Sequence, residues 1–355
     1  MAPHVDSPPS PFPLRARTGI TGLALLAATF LLFATGRSDA AVVPVDLVAE
    51  QAVVKVAPGV KMRAWTFNGS VPGPVVRVNE GDTIQINLTN SDQGTPATRT
   101  TKWVKVRVKK KLKKARRNGK RFKWVWKKRK KTVRVPGRHA QPHSIDFHAA
   151  EIAPNQAFKS IPPGQTHTFS FVASRPGVYM YHCGTPMMLE HIAMGMYGAI
   201  VVDPAVPRPP ASKEITLVQS EFYGKVKNGW LQPDRMAMMH GSPAYVAFNG
   251  TANRYVSKPI AVPTGTPADP PVRINLVNAG PNNFSAFHVV GTIFDEFQPD
   301  GHPGQFTTGV STQTIAPGGG GVFELRFAET GRYPFVSHLM RDMEKGAMGL
   351  FEASD

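Results

Sequence analysis

The stretch "RAWTFNGSVPGPVVRVNEGDTIQINLTN", Arg63 to Asn90, is a series of short β-rich runs cut by Gly, Pro and Asn turns. It returns as "AYVAFNGTANRYVSKPIAVPTGTPADPPVRINLVNAG", Ala244 to Gly280, with the same Phe-Asn-Gly turn, another Pro/Gly turn, and "INLVN" in place of "INLTN". Later segments match as well: "PGQTHTFSFVASRPGVYMYHC" parallels "PGGGGVFELRFAETGRYPFVSH" in its turn, its alternating strand and its Gly-x-Tyr lead into the next strand. The chain therefore reads as all-β, two copies of one β-sandwich joined around "DPAVPRPPAS", Asp203 to Ser212. A repeat spacing of about 180 residues is far too long for a solenoid. The 355 residues, 41% hydrophobic with 32 Gly and 33 Pro, are compatible with two such domains.

At the N-terminus Arg15 and Arg17 precede an apolar run from Thr18 to Gly36, and Ser38 and Ala40 supply small residues for cleavage. Residues 1–40 are thus expected to be a signal peptide or an N-terminal anchor, and the folded part to be exported: periplasmic, extracellular or cell-surface. An exported protein with one cysteine, Cys183, has no intramolecular disulfide to make, so the thiol is either buried inertly or used. The net charge of +18 is not spread evenly, because half of the 42 Lys and Arg residues fall between Arg99 and Arg138, where there is no acid. This segment interrupts the first copy. Its arms, "KWVKVRVKKKL" and "FKWVWKKRKKTVRV", partly alternate apolar with basic around Asn118-Gly119, which predicts a protruding hairpin with Trp103, Trp124 and Trp126 along it, on the face touching the sandwich.

In "VYMYHCGTPMMLEHIAMGM", Val178 to Met196, Cys183, His191 and Met196 bring a thiolate, an imidazole and a thioether into one loop. With a histidine from a neighbouring strand, His143, this is the His2Cys set with a weak axial Met that makes a blue copper centre. Met194 is the nearest rival to Met196. In "HSIDFH", His143 and His148 are five apart and face opposite sides of a simple strand, as do the neighbours His182 and Cys183. His143 and Cys183 then share one site, while His148 and His182 form two-thirds of a histidine-only site completed by His338 in "VSHLMRDM".

Taken together, "HSIDFH", "YHC…EHIAMGM" and "VSHLMRDMEKGAMGLF" resemble the copper-containing nitrite reductases and their two-domain multicopper-oxidase relatives, from about Val45 to Ala353 apart from the basic insertion. The resemblance implies two tandem cupredoxin-like Greek-key β-sandwiches: residues 41–205, carrying the insertion 99–138, and residues 206–355. It implies a homotrimer, with type 1 copper on His143, Cys183, His191 and Met196, and type 2 copper on His148 and His182 of one chain and His338 of the next. It implies reduction of nitrite to nitric oxide with electrons from a small donor protein, a cupredoxin or cytochrome c, and it matches Asp146 to the family's active-site aspartate, which hydrogen-bonds nitrite and passes a proton.

One departure stands out. The family's second proton-handling histidine belongs five residues after the first histidine of a His-Leu-Ile-Gly-Gly-His stretch, and here "HVVGTIF" places Ile293 there. Either Asp146 and water suffice, or His288 or Asp295 compensates, or the substrate differs. A laccase-like oxidase needs a three-copper cluster usually built from His-x-His pairs, and none occurs. A non-catalytic electron carrier leaves His148, His182 and His338 unexplained. The insertion's Lys/Arg and aromatics suit an acidic surface or polymer, and export argues against nucleic acid.

Overall fold

The computed structural model describes residues 40–355 except 95–97, 113–116, 118, 120 and 136–138. The leader reading and Asn118 of the insertion lie outside the described residues. Among the described residues, no helix is long and apolar enough to cross a membrane.

The chain is built from two β-sandwiches whose sheets correspond strand for strand. In the first, one sheet runs in the order Val60–Phe67, Val42–Ala57, Thr83–Asn90, Thr166–Val172, and the other Val76–Asn79, Tyr197–Asp203, Gly177–His182, Asp146–Phe147. The second repeats this as Tyr245–Phe248, Lys213–Phe222, Val272–Asn278, Gly320–Leu325, and as Lys258–Pro263, Met348–Ser354, Gly331–Ser337, Ser285–Val289, with extra strands at the edges. Both copies contain the same parallel pairing, Val42–Ala57 with Thr83–Asn90 and Lys213–Phe222 with Val272–Asn278.

The repeated motifs have repeated physical jobs. Asn68 and Asn249 of the Phe-Asn-Gly turns both sit at positive φ, 54° and 52°, where Asn is tolerated better than most residues. Each accepts, through its side-chain oxygen, the backbone N–H of a strand residue, Val48 or Val218. Asn90 and Asn278, closing "INLTN" and "INLVN", are fully buried. Each donates its amide to two backbone carbonyls, Gln141 and Ile161 for Asn90 and Asn283 and Ile315 for Asn278, and accepts the N–H two residues on. A buried amide satisfied in this way fixes a loop against the strand end.

Gly177–His182 is covered on both faces. Tyr181 packs into the first core with Phe67 and Phe147, while Val178 and Met180 pack with Val218, Val277 and Val322 of the second sandwich. The close approach requires Gly320, since a Cβ there would run into the Val178 carbonyl. Residues after the linker also join the first sandwich: Trp230–Pro233 pairs with Gly224–Lys227 and adds to Val60–Phe67 through Trp230 and Lys61. A strand whose two faces are both packed is held rigidly, which is what a ligand-bearing strand end requires.

The insertion forms a two-stranded ribbon, Thr98–Lys111 against Phe122–Val135, in a sheet of its own. Its tryptophans do not lie against the sandwich as expected: Trp103, Trp124 and Trp126 are 64%, 50% and 68% exposed. Among the described residues no second sheet packs on the ribbon, so its alternation does not divide an inside from an outside.

At the junction of the two copies, the buried Glu221 accepts hydrogen bonds from the Tyr223 hydroxyl and the Asn283 N–H. Burial pushes its carboxyl from 4.5 up to about 7 against the opposing pull of those hydrogen bonds. The folded protein therefore keeps this proton where the unfolded chain has released it. The associated stability is fully present below pH 4.5 and is lost as pH rises toward 7. Unfolding experiments across this window should show Glu221→Gln flattening the decline, by on the order of 3 kcal/mol at its upper end.

Candidate metal centres

Two clusters meet where Gly177–His182 ends. In the first, His143, Cys183 and His191 are all buried. The two Nδ1 atoms are 3.3 Å apart, and Cys183 Sγ is 3.3 Å from His191 Nδ1 and 3.9 Å from His143 Nδ1. His143 Nε2 lies 3.2 Å from Asp92 Oδ2; because a carboxylate only accepts, Nε2 carries the proton and Nδ1 turns its lone pair toward the thiol. Burial would push the Cys183 thiol up, but its contacts with His143 and His191 and the hydrogen bond from the Ser144 N–H outweigh it and hold the thiol well below its ordinary value. That favours a thiolate, the soft ligand copper takes.

The loop is set by backbone bonds. Cys183 N–H donates to Met196 O, and Met196 N–H donates to His191 O, both at 3.1 Å. His191 lies in the short helix Met188–Ala193, and Gly195, at φ +116°, turns the chain where a Cβ would meet Val71 at 2.6 Å. Met194 and Met196 are both buried in the core that holds Cys183, and Met196 alone of the two is bonded through its backbone to both Cys183 and His191. Trp65 covers His191, with ring centroids 4.8 Å apart.

The second cluster is His148, His182 and Asp146. Asp146 pairs with His182 across the strand ladder. His182 Nδ1 is 3.0 Å from the Cys183 carbonyl, and His148 Nδ1 is 3.0 Å from the Gly318 carbonyl of the second sandwich. Carbonyls accept, so both Nδ1 atoms are protonated and the two Nε2 lone pairs confront each other at 3.0 Å. Two acceptors at that distance repel unless a cation lies between them, and this is the donor set of a metal centre. Burial, and then the neighbouring His182, hold His148 below its ordinary pKa, so a proton is a poor occupant. Asp146 Oδ2 is 3.9 Å from His182 Nε2, with 31% of its side chain exposed.

His338 does not join this cluster within the chain. It follows Gly331–Ser337 on the surface of the second sandwich, its ring 5.7 Å from that of His288. His288 Nδ1 is bonded to the Ser311 carbonyl at 2.6 Å, which leaves Nε2 unencumbered. Ile293 is 57% exposed, and Asp295 is engaged by Arg326 at 2.8 Å.

Residues 49–111 and 153–206 match models of multicopper oxidase domains. The chain is 34% identical over 322 residues to copper-containing nitrite reductase of Neisseria meningitidis serogroup A, covering 89% of this chain and 70% of that protein. The chain belongs to the copper-containing nitrite reductase family. Copper nitrite reductase from Nitrosomonas europaea superposes with a TM-score of 0.69 at 32% identity, over 88% of this chain and 94% of that one. The Thermus scotoductus copper-containing nitrite reductase gives 0.69 at 29% identity, over 89% of this chain and 62% of that one. For a nitrite reductase relative the cofactor is copper, and the His143, Cys183 and His191 cluster fits a type 1 site.

The residue the sequence reading missed is Asp92. Buried beside His143, it also accepts the N–H groups of Gly94 and Gln141 and the Gln51 amide. Burial alone would raise its carboxyl; the hydrogen bonds from His143 and the two backbone N–H groups hold it below the usual range. A signal existed: "INLTNSD" carries the acid where "INLVNAG", in the copy without a thiol, carries Gly280. Asp92→Asn keeps an acceptor oxygen and removes a negative charge beside a copper ligand. Redox titration of the thiolate-to-copper absorption should show the potential rising, by about 59 mV for a tenfold change in a one-electron equilibrium.

Proposed function

We propose that this protein reduces nitrite to nitric oxide with two coppers per chain, one at His143, Cys183, His191 and Met196 and one shared by His148 and His182 with His338 of a neighbouring copy in a trimer. The observation that carries the reading is the adjacency of His182 and Cys183, which belong to different clusters yet are joined by one peptide and by a hydrogen bond from the His182 ring to the Cys183 carbonyl. Copper bound there supplies one-electron storage at the first cluster and an open coordination position for nitrite at the second.

The residues divide the remaining work. The Cys183–His182 link is the shortest covalent path between the clusters. Each nitrite takes one electron and two protons and leaves nitric oxide and water. The Asp146 carboxyl, partly exposed beside His182, holds the substrate by a hydrogen bond and hands on a proton. His288, beside His338 with its Nε2 free, is the candidate for the second proton from the neighbouring subunit. Its ring compensates for Ile293, which has no proton to give. The surface position of His338 supports sharing, since among the described residues it belongs to no donor cluster of its own chain.

Met187 and Met188, 51% and 42% exposed at the start of the helix that carries His191, offer a soft apolar surface to a small electron-donor protein, a cupredoxin or cytochrome c. The Arg15-to-Ala40 leader pattern supports placing the enzyme outside the cytoplasm.

Anaerobic turnover of copper-loaded protein with nitrite and a reduced dye should release nitric oxide; an occupied second site without it would count against nitrite as substrate. His338→Ala should keep the type 1 absorption, lose the type 2 copper resonance, and lower nitrite turnover by more than the ~10–100-fold that disrupting a metal's outer-shell partners costs.

A further inference from the structure

The basic ribbon has no role in this chemistry. Among the described residues, each strand pairs only with the other. Among the described residues none of its cations is in an ion pair, so no described carboxylate compensates the charge. Such a concentration repels itself and draws in a polyanion.

Register shows how the charge is distributed. Directly paired residues share a face, so Lys105, Arg107 and Lys109 stand with Lys128 and Lys130, among Trp103, Trp124 and Trp126. The opposite face carries Lys110, Lys123, Lys127, Arg129 and Lys131 around Val104, Val106, Val108 and Val125. Same-face positions recur every ~6.8 Å along strands roughly 45 Å long. A flat partner, whether a bilayer or a folded protein, would meet one face and leave the other unpaired. A flexible chain can wrap both.

The aromatic rings narrow the choice. Lys109 Nζ lies over the Phe122 ring at 4.2 Å and the Trp124 ring at 5.8 Å, Arg107 over Trp124 at 5.6 Å, and Lys130 over Trp103 at 5.5 Å. These ring faces hold cations in place, whereas single-stranded nucleic acid needs such faces for stacking bases. Lysine outnumbers arginine on both faces, and a lysine ammonium meets phosphate as a point charge, without the fixed fork geometry that arginine imposes on its partner.

We propose that this ribbon is a docking surface for a base-free polyol-phosphate polymer, a flexible chain with one phosphodiester charge per repeat. Deleting the ribbon is a poor test, because Asp92 bonds both its flanks, Gly94 and Gln141, as well as His143. The better experiment titrates full-length copper-loaded protein with purified poly(glycerol phosphate) at a series of salt concentrations. Two five-site variants accompany the parent: Lys105, Arg107, Lys109, Lys128 and Lys130 to Gln, and Lys110, Lys123, Lys127, Arg129 and Lys131 to Gln. Binding of the parent should fall linearly on a log–log salt plot, and each variant should lose at least tenfold in affinity with a shallower slope. The type 1 absorption and nitrite turnover should be unchanged in both, which reports that they fold and separates this result from the catalytic reading. The proposal is overturned if the parent fails to bind at about 0.15 M salt, or if its binding is insensitive to salt. It is equally overturned if only one face matters, or if charge-matched oligo(dT), a uronic-acid polymer, or phosphatidylglycerol vesicles bind as tightly.

Discussion

Everything in this molecule converges on one steric fact: successive side chains at the end of a strand leave the backbone in opposite directions. At the end of Gly177–His182 that fact separates His182 from Cys183, so one peptide unit serves two donor clusters. Such a strand end must not move, because the donors on either side are set by distances of about 3 Å. Rigidity comes from burial on both faces, by the first sandwich's own core and by Val218, Val277 and Val322 of the second. The duplication thus gives the first copy a floor as well as a partner.

Function divides between the copies along the same line. The first keeps the thiol, the buried imidazoles and the acid Asp92. The second, on the same strand order, has Ser337 where the thiol stands, and its core is packed with aromatics such as Phe287, Phe323 and Phe335. What it contributes to chemistry lies at its surface or in its backbone: the Gly318 carbonyl that fixes the His148 tautomer, and the half-buried His288 beside the exposed His338. A cluster short of ligands on one copy and a surface histidine on the other make sense together if chains associate.

Much of this was legible in the sequence because it rests on local chemistry. The Asn-Gly turns and the "INLTN"/"INLVN" ends announced a repeat, since positive φ and buried amide bonding demand those residues wherever the fold recurs. The alternation at His182-Cys183 announced two sites. What stayed hidden depends on long-range contact or on backbone. Asp92 meets His143 from 51 positions away across the insertion, and Gly318 meets His148 from 170 positions away through a carbonyl that every residue type possesses. The strands that carry residues 224–233 into the first sheet follow Lys213–Phe222, a strand of the second copy, so the chain order gives no sign of their return. The ribbon's tryptophans read as inward because alternation normally means one covered face, whereas Trp103, Trp124 and Trp126 are all exposed.

The central claim is that two coppers flank the His182–Cys183 peptide and that the second is held between chains. Diffraction from copper-loaded crystals, recorded on either side of the copper absorption edge, tests it directly. The account predicts two anomalous peaks per chain, one enclosed by His143, Cys183, His191 and Met196, the other joining His148 and His182 to His338 of a neighbouring copy. A second peak held entirely within one chain, or a single peak with His148 and His182 left bare in fully loaded protein, would contradict it.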